Sequence, residues 1–305
     1  MQRNPKHNSR IRETRIDRII VAIIYFLLVL ATLIVLYPLI YVVSASFSDA
    51  SEVIAGRVWL WPVKPNVVAY STIFQYPSIM SGFANSLGYM VVGTLISLTV
   101  TLCGAYPLSR NNFYGKSLFL RIFTFTMLFN GGLIPFYLVV KKLHMDNTRW
   151  AIVVPSALSV WNLIIMRTYL SRNIPQELYE ASEIDGCSDV GIFFRIVLPL
   201  SGPIIAVISL YYAVGIWNGY FNAMIFLRDS TKFPLQIWLR EILIANQFDI
   251  LNMSGLDTQE ILRRQGLRDL LKYALIVVST APLMVVYPFI QKYFIKGVMI
   301  GSVKG

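Results

Sequence analysis

The sequence predicts an all-α, polytopic membrane protein with six transmembrane helices. Of its 305 residues, 56% are hydrophobic and only 14% are charged, where a soluble domain carries about a quarter charged residues. Several uncharged apolar runs are long enough to cross a bilayer. The stretches between them are polar, and none is a low-complexity tract.

Residues 1–18 form a basic N-terminal tail with Arg3, Lys6, Arg10, Arg12, Arg15 and Arg18. Ile19–Val43 then runs 25 residues without a charge. As a helix it is roughly 37 Å long, enough for a hydrocarbon core of about 30 Å with some tilt. A secretory signal is the competing reading, with Ser44-Ala45-Ser46 as a small-residue site. The apolar region exceeds a signal core of about 7–15 residues, so an uncleaved first span is expected. Further spans are expected at about 85–108, 118–140, 150–169, 203–226 and 270–291, giving one unit over 19–293. Pro38, Pro107, Pro135, Pro155, Pro282 and Pro288 lie in or near them, which membrane helices tolerate. Trp59, Trp61 and Trp150 lie near span edges. Six bases precede the first span and two, Arg57 and Lys64, follow it. That asymmetry predicts a cytoplasmic N-terminus and, after six crossings, a cytoplasmic tail over 294–305.

Composition excludes several classes. The two cysteines, Cys103 and Cys187, sit in unlike surroundings, and His7 and His144 are far apart in sequence. No disulfide framework, metal site or histidine-based catalytic group is expected. The net charge of +11 fits orientation and membrane-lipid contact; the aromatics lie within apolar runs, so nucleic-acid binding is not expected. Gly115-Lys116-Ser117 ends like a phosphate-binding loop, but Arg110 stands where its first glycine belongs and no strand precedes it. No Asp or Glu lies deep within a span, which argues against proton or sodium coupling.

The stretch 173–203 is charged and helix-prone, with Glu177, Glu180, Glu183, Asp185 and Asp189 against Arg195 and, one residue before it, Arg172. An anionic membrane surface repels it, so another protein is the expected neighbour. Pro175 and Glu177 suit a helix start, and Gly186 permits a sharp turn. Val190, Phe193, Phe194, Val197 and Leu198 fall on one helical face, and Pro199 and Pro203 end it. Two short helices with a glycine elbow are expected. The pattern alone fits a solvated loop as well as a docking element.

Glu180-Ala181-Ser182-Glu183-Ile184-Asp185-Gly186, followed by Phe194, Ile196 and Leu198-Pro199, resembles the "EAA" loop of bacterial ABC importer permeases. The resemblance extends over nearly the whole chain after the N-terminal tail. Gly131-Gly132-Leu133-Ile134-Pro135, Asn147-Thr148-Arg149-Trp150-Ala151 and the run Pro234–Leu243 are similar to the LplC/YtcP branch of MalG-like carbohydrate permeases. Ser182 and Cys187 depart from the usual alanines, and both remain small. The resemblance implies a MetI-like permease fold that is not an enzyme. It implies a second homologous permease, two ABC ATPase subunits, an extracytoplasmic solute-binding protein and an oligosaccharide substrate in a bacterial plasma membrane. This chain would bind no cofactor, ATP being used by the partner ATPases. Glu180, Ala181, Ser182, Asp185, Gly186, Phe194, Ile196, Leu198 and Pro199 would couple to the ATPase. The tail, with Gly301, Lys304 and Gly305, would contact the ATPase pair.

Polar amides also lie in the spans: Asn85, Asn130, Asn162, Asn218 and Asn222. Trp217, Asn218, Tyr220, Phe221 and Asn222 form the preferred substrate-path cluster, because a sugar offers C–H faces to aromatics and hydroxyls to amides. Interhelical hydrogen bonding is the competing reading. The stretch 227–268 is expected as a long external loop that either reaches a binding protein or moves freely. A permease for a non-sugar solute and a membrane-embedded transferase remain alternatives.

Overall fold

The computed structural model describes residues 14–248 and 258–302, which contain no strand. The first helix, α1 (Arg15–Ser46), starts with a capping box in which the Thr14 hydroxyl accepts from Asp17 N–H and the Asp17 carboxylate accepts from Thr14 N–H. It is exposed along most of its length and buried only at Ser44–Ser46. Short helices α2 (Ala50–Ile54) and α3 (Val68–Gln75) follow.

The central element is α4 (Pro77–Ser109), against which the helices Val160–Asn173, Gly202–Trp217 and Leu235–Phe248 pack. Its buried side carries Gly82, Ser86, Gly93, Ser97, Thr101 and Ala105. Small residues in such a stripe let neighbouring helices approach closely where lipid supplies no hydrophobic drive between them.

The span expected at 118–140 is a bent pair, α5 (Lys116–Leu128) and α6 (Leu133–Lys142), turned by 115°. At the bend Asn130 Oδ1 accepts from Gly132 N–H at 2.9 Å, closing a local turn. The span expected at 150–169 is broken into α7 (Trp150–Val153) and α8 (Val160–Asn173). Pro155 lacks an N–H for a continuous helix, and the Ser159 hydroxyl caps a new one by accepting from Asn162 N–H. The next segment, α12 (Gly202–Trp217), stops at Asn218 and resumes as α13 (Phe221–Phe226). By length and hydropathy, three helices suit a membrane crossing among the described residues: α1, α4 and Arg268–Pro288. The α5–α6 pair and the bent pair ending in α12 each make one more if counted as a span.

Much of the stretch expected as a loop over 227–268 is helical. Leu235–Phe248 forms α14, and the last helix, α15 (Thr258–Ser302), begins well before residue 270. The polar face of α4 holds the segment leading into α14. Asn85 Nδ2 donates to the carbonyls of Thr231 (2.7 Å) and Phe233 (3.1 Å), Tyr89 donates to Lys232 O (2.8 Å), and Ser86 Oγ accepts from Leu235 N–H (2.8 Å). A Cβ on Gly82 would stand 2.5 Å from Trp238 Cδ1 and 3.3 Å from Leu235 Cα, so only glycine lets α14 sit this close. Asn147, at φ +54, accepts through Oδ1 from the N–H groups of Arg228 and Asp229. Two of the stretches that mark the carbohydrate-permease branch therefore meet the 228–235 segment as packing partners or as part of it.

Candidate functional site

Two regions at opposite ends of the helices carry the candidate residues. The first is the acidic loop. It contains α9 (Gln176–Ile184), α10 (Asp189–Ile192), a π-helical turn over Phe193–Val197 and α11 (Leu198–Leu200). An 80° bend at Ser201 then leads into α12.

The elbow between α9 and α10 falls at Gly186, at φ +75. Cys187 N–H donates to Ser182 O (2.9 Å) and Gly186 N–H to Glu183 O (3.1 Å). This is a Schellman closure, whose left-handed residue is normally glycine.

One side of α9 is buried: Tyr179 and Ser182, whose hydroxyl donates to Leu178 O at 2.6 Å. The other side is open. Glu180, Ala181, Asp185 and Gly186 are exposed, and Ile184 is 86% exposed. Beyond the elbow the expected single apolar face splits. Phe193 is half-buried and Val197 fully buried, while Val190 and Phe194 project into solvent at 66% and 59% exposure. The side turned to the spans runs through Ile192, Phe193, Ile196 and Val197, itself a helical spacing, and it leaves Val190 and Phe194 at its outer edge. Ile196 and Leu198 are half-buried and Pro199 is exposed. The result is an open rim of Ile184, Val190 and Phe194 bordered by acids.

The inner side of the loop is continuous with the spans. Tyr179, Ile192 and Val197 share one buried apolar cluster with Leu102, Leu108, Met166, Leu170 and Ile208. Arg110, at the end of α4, also reaches the loop. Its Nη2 lies 2.6 Å from Glu183 Oε1, and its guanidinium stacks 3.8 Å from the Tyr179 ring centroid. Burial pushes the Tyr179 phenol above its ordinary pKa, with the Arg110 charge opposing. The sequence reading used Arg110 as one of the inner bases that set orientation and to reject a phosphate loop, and did not connect it to the acidic loop. Its position as the first charge after an uncharged run was the available signal. Of the tail residues, Gly301 lies in α15, and Lys304 and Gly305 lie outside the described residues.

The second region is a cleft of ≈ 910 Å³ beside the break between α7 and α8 and the break after α12. Asn218, Tyr220, Phe221 and Asn222 line it, joined by Trp161, Asn162 and Tyr211. No charged side chain is among its lining residues. Asn222 Nδ2 donates to Ser156 Oγ across it at 3.2 Å. Trp217 stands apart from the other four. It is 1% exposed, its indole N–H donates to Ser279 O at 2.8 Å, and its ring meets Phe83 edge-on. Its role in this structure is to lock α12 to α15. Asn85 and Asn130 are likewise committed to backbone partners.

The family described as "Binding-protein-dependent transport system inner membrane component" matches residues 101–300. The chain is similar to the protein LplC of Bacillus subtilis (strain 168), with 41% identity over 272 residues, covering 89% of this chain and 90% of that one. It is similar to the polygalacturonan/rhamnogalacturonan transport system permease protein YtcP of the same organism, with 42% identity over 289 residues, 95% and 99% of the two chains. A chain in the crystal structure of a bacterial ABC transporter that imports the acidic polysaccharide alginate aligns with TM-score 0.82 and 34% identity, covering 93% of this chain and 99% of that one. These likenesses extend over both the acidic loop and the cleft. This chain belongs to the binding-protein-dependent transport system inner membrane components: it is a permease subunit of an ABC importer, which works with ATPase and binding-protein subunits, and it is not an enzyme.

Proposed function

We propose that this chain is half of the translocation path of an oligosaccharide importer, paired with a second homologous permease and two ATPase subunits. The observation that carries the coupling half of this reading is the exposed rim of Ile184, Val190 and Phe194 beside Glu180 and Asp185, on a loop whose inner side shares the core of the spans. An apolar rim of this kind on a short helical loop marks a protein contact. Docking there gives an ATPase a handle on α4, α8 and α12. The loop and both termini face the cytoplasm in this reading, and the broken α7–α8 segment completes six crossings. ATP binding closes the ATPases, the loop follows, and the spans open toward the binding protein; hydrolysis returns them. Glu180, Asp185 and Gly186 are coupling residues, and the tail at Gly301, Lys304 and Gly305 adds a second ATPase contact.

The neutral, aromatic- and amide-lined cleft supports a sugar as cargo. Trp161, Tyr220 and Phe221 supply faces for C–H groups, and Asn218 and Asn222 supply amides for hydroxyls. YtcP, a polygalacturonan/rhamnogalacturonan permease, and the alginate transporter support polysaccharide-derived substrates. The test is reconstitution of the chain with its partner permease, ATPase and binding protein in proteoliposomes. Uptake of labelled oligosaccharide that requires internal ATP and external binding protein is expected. Uptake by the assembled complex of a non-sugar solute, with oligosaccharides ignored, would overturn the cargo assignment.

A further inference from the structure

The Arg110 side chain is only 10% exposed, although a cation at the end of a membrane helix ordinarily reaches for water. Its surroundings explain where it is held. α4 ends at Ser109, and its last carbonyls are taken up by cations: Arg167 Nε donates to Leu108 O at 3.1 Å and Lys116 Nζ to Arg110 O at 3.0 Å. Those contacts fix the end of α4 against α5 and α8. The Arg110 guanidinium turns to α9 instead, pairing with Glu183 and stacking on Tyr179. Its Nη1 is buried without a hydrogen-bond partner. A cation this buried with a single carboxylate partner depends heavily on that partner, since removing it leaves an uncompensated charge. Two further contacts join α4 to the loop beyond the elbow: Tyr106 Oη donates to Asp189 O at 3.3 Å, and the Tyr106 ring packs against Phe193.

We propose that Arg110 is the positioning residue that joins the acidic loop to α4, so that α9 and the end of α4 move as one lever when a partner ATPase displaces the loop. The proposal rests on the coupling reading above. Glu180, Ala181 and Asp185 meet the partner in that reading, whereas Tyr179 is buried against Arg110 and Glu183, half-exposed, gives its carboxylate to the guanidinium. Docking and transmission therefore reside in different side chains of one helix. Loss of the Arg110–Glu183 pair leaves the rim intact, so the ATPase still docks and turns over while its stroke reaches the spans incompletely.

The experiment compares the assembled complex carrying the unaltered chain, Glu183→Gln, Arg110→Gln and the charge swap Arg110→Glu with Glu183→Arg. ATPase co-purification, ATP turnover and uptake per ATP hydrolysed are measured in proteoliposomes. Glu183 is 47% exposed, and the isosteric amide keeps an oxygen that can accept from Arg110, so the comparison is made at equal permease yield. Each single variant is expected to retain the ATPase and lose uptake per ATP about tenfold, and the swap is expected to restore most of it. An assembled Glu183→Gln complex with unchanged uptake per ATP would overturn the lever. Single losses that the swap leaves uncorrected would overturn the ion pair as the link. Absence of ATPase from the unaltered chain would instead sink the docking reading, and the lever with it.

Discussion

The hydroxyl of Tyr212 lies 2.6 Å from that of Thr101 and accepts the backbone N–H of Ser159 at 3.1 Å. One phenol on α12 thus joins α4 to the residue that restarts α8, at the inner wall of the cleft that Tyr212 and Ser159 both line. Tyr212→Phe keeps the ring and leaves the buried Thr101 hydroxyl and the Ser159 N–H unpaired. The expected cost is about 1–2 kcal/mol, seen as a lower melting temperature of the purified protein. Thr101→Val should cost less, because the Ser159 contact survives. Equal stability of Tyr212→Phe and the unaltered chain would show that this junction contributes nothing.

Close approach of α14 to α4 gives a second prediction. Gly82→Ala places a Cβ against the Trp238 ring and the Leu235 backbone. The strain expected is about 1–3 kcal/mol, with α14 displaced and tryptophan fluorescence altered. Ala84→Gly on the same helix, at a residue that lines an open recess rather than the Trp238 contact, should leave that fluorescence unchanged.

The cleft makes a prediction about cargo. Trp161 is 58% exposed and lines the cleft together with Asn218. Trp161→Ala or Asn218→Ala should reduce oligosaccharide uptake by about tenfold, equal to roughly 1.4 kcal/mol, while ATPase retention is unchanged. Trp217→Ala should behave differently, because that indole is buried between helices. It should lower stability by about 3–5 kcal/mol, the cost of truncating a buried tryptophan, before any transport assay is possible.

Acid sensitivity has a defined sign at Asp229. Its carboxylate accepts from the Thr231 hydroxyl and N–H and pairs with Lys232 at 3.1 Å. These contacts, the Thr231 hydroxyl first, lower its pKa from 3.8 to about 2. A depressed folded-state pKa stabilises fully above the unfolded value and is lost as pH falls through the folded one. The stability difference between the unaltered chain and Asp229→Asn should therefore be constant at neutral pH and shrink only between about pH 4 and pH 2. A difference that grows on acidification would contradict the assignment.

The all-α membrane fold was legible because apolar runs of about 20 residues leave few alternatives. Gly186 was legible too, since a charged helical pattern interrupted by one glycine implies a left-handed stop. Hydropathy does not show continuity, however. Pro155 with Ser159, and Asn130 with Gly132, break or bend runs that read as single spans. α14 was missed because it is a short helix inside a stretch read as a loop; its burial comes from Gly82 and Ser86, about 150 residues earlier. The apolar face of the second loop helix includes Val190 and Phe194 in the sequence reading because two overlapping arcs satisfy the same helical spacing, and only packing onto the spans selects the one through Ile192 and Ile196. Trp217 sat beside its true cleft neighbours in sequence, and only the turn at Asn218 separates their directions. Arg110 gave no local motif, because its partners Tyr179 and Glu183 lie some 70 residues away.

In the proposed importer an ATPase grips the acidic loop, and co-purification reads that grip without any transport assay. The tagged chain is expressed with its partner permease and ATPase, and the ATPase bound per permease pair is measured for the unaltered chain and for Gly186→Asp, which adds a side chain at φ +75 and a charge on the open rim. Two ATPase copies are expected with the unaltered chain, and a loss of at least tenfold with Gly186→Asp, at equal permease yield and pairing. Equal ATPase binding by both would contradict that grip.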